Sequence, residues 1–145
     1  MSEYDQDGYA WAMTQAECLR RQQWDALDLD HAAEEIEGLG HRQCHAVTKH
    51  LRVLLLYLLK WEHQSERRSK RWLRRIDQAQ AELESYLWES PSLQAQLPTL
   101  VGRAYLQACR LAARETGLPP ATFPVTCPWP PEHLADTEVL PYQLG

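Results

Sequence analysis

The sequence predicts an all-α fold. It is a helical bundle of about four main helices, one of them long and bent, with a proline-rich irregular C-terminal arm packed on it. Two observations carry this reading. Apolar residues recur at helical spacing in four successive segments, and seven of the nine prolines crowd into residues 119–141, where no helix can continue. Length and composition agree with it. The 145 residues, with apolar and charged fractions of 44% and 24%, are those of one ordinary globular domain. The whole chain, 1–145, therefore reads as a single helical domain, with a bundle over 1–116 and the arm over 117–145.

The first helix is expected from about Asp5 to Gln23, with Tyr9, Ala12, Met13, Ala16 and Leu19 inward. The second is the clearest. Asp28 or Asp30 can cap it, because their carboxylate oxygens accept free backbone N–H groups. At about 100° per residue, Leu29, Ala33, Ile36, Gly40, Cys44, Val47, Leu51, Leu54, Leu58 and Trp61 fall on one stripe. The phase survives Gly38 and Gly40, so one helix is expected from about 29 to 63. Such a rod is about 52 Å long, which implies a bend near the glycines and an end that protrudes or packs on another subunit.

A break follows at HQSERRS. The third helix is expected from Glu66 or Ser69 to Glu89, with Trp72, Ile76, Ala79, Leu83, Tyr86 and Leu87 inward. Ser90-Pro91 reads as an N-cap followed by a first-turn proline. Pro98 separates a short turn from a fourth helix over Thr99 to Glu115, with Leu100, Ala104, Leu106, Ala108, Leu111 and Ala112 as its apolar positions. Gly117 is its stop. In the arm, Phe123, Val125, Trp129, Leu134, Leu140 and Tyr142 are too apolar for a free tail, and one helical turn is expected around Pro131 to Ala135.

Charge is polarised along the chain. Residues 1–40 carry a net -8, residues 42–75 a net +8 and residues 76–145 a net -5. The four cysteines, Cys18, Cys44, Cys109 and Cys127, have no metal or redox spacing and read as separate thiols in a reducing cytoplasm. The acidic N-terminus lacks signal-peptide order, and the longest apolar run, Val53 to Leu59, has seven residues against roughly 20 for a membrane span.

The elements YDQDGYAWAMTQAECLR, WDALDLDHAAEEIEGLG, LLLYLLKWEHQSERRSKRW, ESPSL, ARETGLP and FPVTCPW, in this order, resemble the bacterial family catalogued as domain of unknown function 29. The resemblance spans nearly the whole chain. It implies an all-helical cytoplasmic protein, with no established activity or catalytic residues to carry over. A histidine associated with some members before Leu58 is Tyr57 here.

Two constellations carry chemistry. Asp30, Glu34, Glu37, His41 and His45 fall within about 80° of one another on the second helix, as a divalent metal would require. The alternative is a solvated acidic face, and no cofactor is expected. Arg67, Arg68, Lys70, Arg71, Arg74 and Arg75 lie within nine residues, with Trp61 and Trp72 close by. Guanidinium groups pair with phosphates and indoles stack on bases, so nucleic acid or an acidic protein would fit. The competing reading is ion pairing with the acidic segment of the same molecule or another subunit. A nuclease would need Asp28, Asp30, Glu34 or Glu37 to converge with a lysine such as Lys60. Cys127, the one thiol expected in irregular structure, reads as structural. The leading expectation is a non-enzymatic helical protein-interaction module acting through a protein partner or its own copy, away from membranes. The alternative is a nucleic-acid-binding or metal-dependent nucleic-acid-processing protein.

Overall fold

The computed structural model describes residues 2–136. They are helical, without a strand among them: α1 (Glu3–Gln6), α2 (Gly8–Arg20), α3 (Leu29–His63), α4 (Lys70–Glu89), α5 (Leu97–Thr116) and α6 (Pro131–Leu134), joined by turns and short 3₁₀ segments. The chain divides into two compact units, Met1–Arg42 and Gln43–Gly145, and α3 belongs to both.

In the first unit the expected single helix is two. Asp7 leaves helical geometry, and its side chain accepts the Ala10 N–H at 3.0 Å, so it caps α2 and separates it from α1. The end of α2 is a Schellman motif. The N–H of Gln22, with φ 56°, reaches Leu19 O, and that of Gln23 reaches Cys18 O. Glutamine stands where glycine is usual.

The buried face of α2 also differs from expectation. Tyr9, Met13 and Leu19 are exposed, and Trp11, Gln15 and Cys18 are buried instead. The start of α3 draws this face inward. The Trp11 indole N–H donates to the Asp28 carboxylate, and Gln15 accepts the Asp28 backbone N–H.

α3 runs unbroken through all 35 residues expected of it. Asp28 is the residue that caps it, Asp28 O accepting from Ala32 N and Oδ1 from His31 N. The two halves of its apolar stripe have opposite fates. Val47, Leu51, Leu54 and Leu58 are fully buried in the second unit, whereas Leu29 and Ile36 are 69% and 68% exposed.

The core of the second unit gathers these α3 leucines with Ile76, Ala79 and Leu83 of α4 and Leu100, Ala104 and Ala108 of α5. Ser69 caps α4, accepting from Trp72 N. Ser90 does not cap with its side chain, because its hydroxyl donates to Gln43. A 3₁₀ segment, Pro91–Gln96, follows, and α5 opens at Leu97 with Pro98 in its first turn. Leu106, expected inward, is exposed. Gly117 ends α5 with φ 74°, donating to Ala113 O.

The described part of the arm closes the core. Phe123, Trp129 and Leu134 are buried in it, and the Tyr105 hydroxyl donates to Pro124 O at 2.7 Å. The expected turn is α6. Val125 faces out, 93% exposed, while Leu140 and Tyr142 lie outside the described residues.

Two substitutions read these assignments. Leu54→Ala, in a fully buried position, is expected to cost about 2–5 kcal/mol in urea unfolding. Gly40→Ala is expected to stabilise by about 1 kcal/mol, because a methyl group there meets nothing within 4 Å.

Candidate functional site

The +8 segment folds into the end of α3, a short 3₁₀ turn over Ser65–Arg67 and the start of α4. Seven of its ten cations fall into two groups. Three are held by aromatic rings. Lys60 is 9% exposed. Its ammonium pairs with Glu115 at 2.9 Å, 5.0 Å from the Tyr57 ring centroid and 5.9 Å from that of Trp72. Arg68 lies 4.7 Å over the Trp61 ring and donates to Trp61 O at 2.8 Å. Arg75 lies 5.6 Å over Tyr57.

The others, Arg67, Lys70, Arg71 and Arg74, are exposed. Among the described residues none of the six candidate cations forms an ion pair. The ion pairs present are Glu17 with Arg20 and Arg21, Asp28 with His31, and Glu115 with Lys60. Helix electrostatics does not account for this placement. Four cations occupy the first two turns of α4, where the helix dipole favours acids, and no basic residue lies in its last turn.

The residues of the acidic stripe, Asp30, Glu34, Glu37, His41 and His45, are all exposed. No group of three or more His, Cys, Asp or Glu side chains among the described residues is placed to hold a metal ion.

A neighbouring cluster escaped the sequence reading. Asp28 and His31 stand at i and i+3 at the start of α3, with Oδ2 and Nδ1 2.7 Å apart. Tyr4 of α1 stacks on His31 at 4.0 Å between centroids and donates to Glu35 at 2.6 Å, while Trp11 meets the Tyr4 ring edge-on. Its sequence signal is the D-x-x-H spacing at a helix start, which capping alone also explains. An Asp–His pair can orient a general base. Here Asp28 accepts from Trp11 and the His31 backbone as well, and no nucleophile is hydrogen-bonded to His31 among the described residues. The pair therefore ties α1 and α2 to the start of α3.

The thiols are equally quiet. All four are free. Burial pushes Cys109 and Cys127 above the ordinary thiol value, and Cys127 donates to Trp129 O at 3.4 Å. A neutral thiol is a poor nucleophile.

The Asp28–His31 pair has a pH signature. The hydrogen bond that His31 Nδ1 donates to the Asp28 carboxylate raises the His31 pKa and lowers that of Asp28. The His31 contribution to stability is full below about 6.5, its ordinary value, and is lost as pH rises through the raised value. The Asp28 contribution is present above the ordinary carboxylate value and is lost as pH falls through the lowered one. By NMR the His31 ring is expected to titrate above about 6.5. Asp28→Asn, which preserves the cap, is expected to bring it back down. An unchanged midpoint in that variant would remove the pair from the account.

No curated protein and no solved structure matches the chain, and no helix of the described residues is long and apolar enough to cross a membrane. The family model described as "Domain of unknown function DUF29" matches residues 3–140, which takes in α1 to α6 and nearly the whole sequence. The chain belongs to the DUF29 family.

Proposed function

We propose that the protein is a non-enzymatic helical interaction module whose partner is a second copy of the same chain. One observation carries this reading. The first unit buries only Trp11, Gln15 and Cys18 among its described residues. Yet it exposes Tyr9, Met13, Leu19, Trp24, Leu29, Ile36 and Leu39, each 49–78% accessible. Of these, Leu29, Ile36 and Leu39 fall on one side of α3 at helical pitch, an exposed apolar strip of the kind that marks an interaction surface.

Charge selects the occupant. The exposed stripe on α3 runs beside Asp30, Glu34 and Glu37 in a segment of net -8. Two such surfaces facing each other repel, so the face fits a basic surface. The start of α4 is one, with exposed cations that have no carboxylate partner among the described residues. Lysine and arginine stems cover apolar surface while their heads reach carboxylates, so the α4 face of a second copy satisfies both needs of the first unit. The four separate thiols support a reducing, cytoplasmic setting.

Sedimentation velocity across a concentration series tests this. The expected outcome is reversible self-association that weakens as salt rises. Ile36→Asp and the pair Arg71→Glu, Arg74→Glu are each expected to shift it to monomer with helical content unchanged. A protein that stays monomeric to sub-millimolar concentration at low salt would overturn the reading.

The exposed cations of α4 also favour a second reading, binding of nucleic acid. It predicts affinity for labelled DNA or RNA that falls steeply with salt and is lost in the same Arg71, Arg74 variant. No binding at low salt removes it.

A further inference from the structure

The geometry points to a phosphate-binding site in the second unit, in the cavity between α3 and α4. The cavity has a volume of about 180 Å³, and Lys49, His50 and Val53 line it from α3 and Arg75, Gln78 and Glu82 from α4. Side chains that carry donor groups therefore stand on both walls. The ammonium of Lys49, the guanidinium of Arg75, the carboxamide of Gln78 and a ring nitrogen of His50 can all present N–H groups to one anion.

Two of these groups are positioned by aromatic rings. Arg75 lies over Tyr57 at 5.6 Å, and His50 packs against Tyr86 with centroids 5.8 Å apart. Holding a guanidinium in place before the ligand arrives reduces the ordering cost of binding. Neither Lys49 nor Arg75 is in an ion pair among the described residues, and neither is Glu82. The cations are thus uncommitted, and the one carboxylate in the lining opposes an anion.

Size and shape select the ligand class. At about 30 Å³ per water, the cavity has room for roughly six waters, enough for one phosphate group with part of its hydration shell, while the remainder of a larger ligand would lie outside it. A tetrahedral oxyanion accepts hydrogen bonds from several directions, as donors on two helices require. A planar carboxylate is matched by a single bidentate fork. A divalent cation is disfavoured by the lysine and arginine. The ligand is therefore free phosphate or a terminal phosphate monoester. This inference does not rest on self-association, because Arg71 and Arg74 do not line the cavity.

Titrating the full chain with inorganic phosphate, and separately with phosphoserine, tests the site. His50 ring resonances are followed by NMR, with sodium chloride holding ionic strength constant. The expected result is saturable movement of His50 with inorganic phosphate. Response to phosphoserine as well assigns the site to the phosphate group in either source, and response to inorganic phosphate alone assigns it to the free ion. Lys49→Ala and Arg75→Ala are each expected to weaken binding at least tenfold, and Glu82→Gln to tighten it several-fold. Lys49 is exposed, so its variant keeps the test intact should Arg75→Ala disturb folding. Arg71→Glu, Arg74→Glu, which tests self-association, is expected to leave phosphate binding within a few-fold. No saturation with either ligand, an equal response to chloride alone, or weaker binding in Glu82→Gln would overturn the proposal.

Discussion

The structure depends on one constraint: a single helix carries one continuous apolar stripe through two different surroundings. From Leu29 to Trp61 the stripe keeps its phase. Over its second half it is buried by α4, α5 and the arm, and Val47, Leu51, Leu54 and Leu58 lose all contact with solvent. Over its first half the same pattern faces water. The hydrophobic effect makes no distinction between the halves, since each large side chain left exposed forgoes about 1.5–3 kcal/mol of burial. Something other than local packing must therefore account for Leu29, Ile36 and Leu39 standing exposed beside the polar Asp28 cluster.

That cluster explains how the first unit holds together with so few buried side chains. Asp28 caps α3, accepts the Trp11 indole and pairs with His31, while Gln15 takes up its backbone N–H. The polar groups that α3 must satisfy at its start are met by α2 residues, and this turns Trp11 and Gln15 inward. Tyr9 and Met13, on another side of α2, are left outside as a consequence. Satisfying a helix terminus has set the orientation of the neighbouring helix, and Tyr9 and Met13 stand exposed as a result.

Much of this was legible in the sequence. The 3.6-residue period of α3, the proline crowding and the Gly117 stop each act through local backbone chemistry, and each appears where the sequence put it. The reading of α2 failed because periodicity identifies an apolar side without saying what stands opposite it. Tryptophan and glutamine hydrogen-bond as well as pack, and here their polar atoms decided. The break at Asp7 and the left-handed Gln22 were missed for a related reason: an aspartate inside a helical pattern and a glutamine at a helix end are weak signals. Charge counting located the basic cluster but not its neighbours. Net charges of -8 and +8 in adjacent segments say nothing of which side chains meet. The Lys49, His50 and Arg75 cavity was invisible because its residues come from two helices and share no spacing.

The two halves of α3 allow the central claim to be tested without any substitution. Hydrogen–deuterium exchange is followed along α3 at low and high protein concentration. The amides over residues 32–42 are expected to exchange fast when dilute and to gain protection as concentration rises, while those over residues 50–60 stay protected throughout. Protection of both stretches that is strong and independent of concentration would show that the exposed stripe needs no second copy, and would contradict the account.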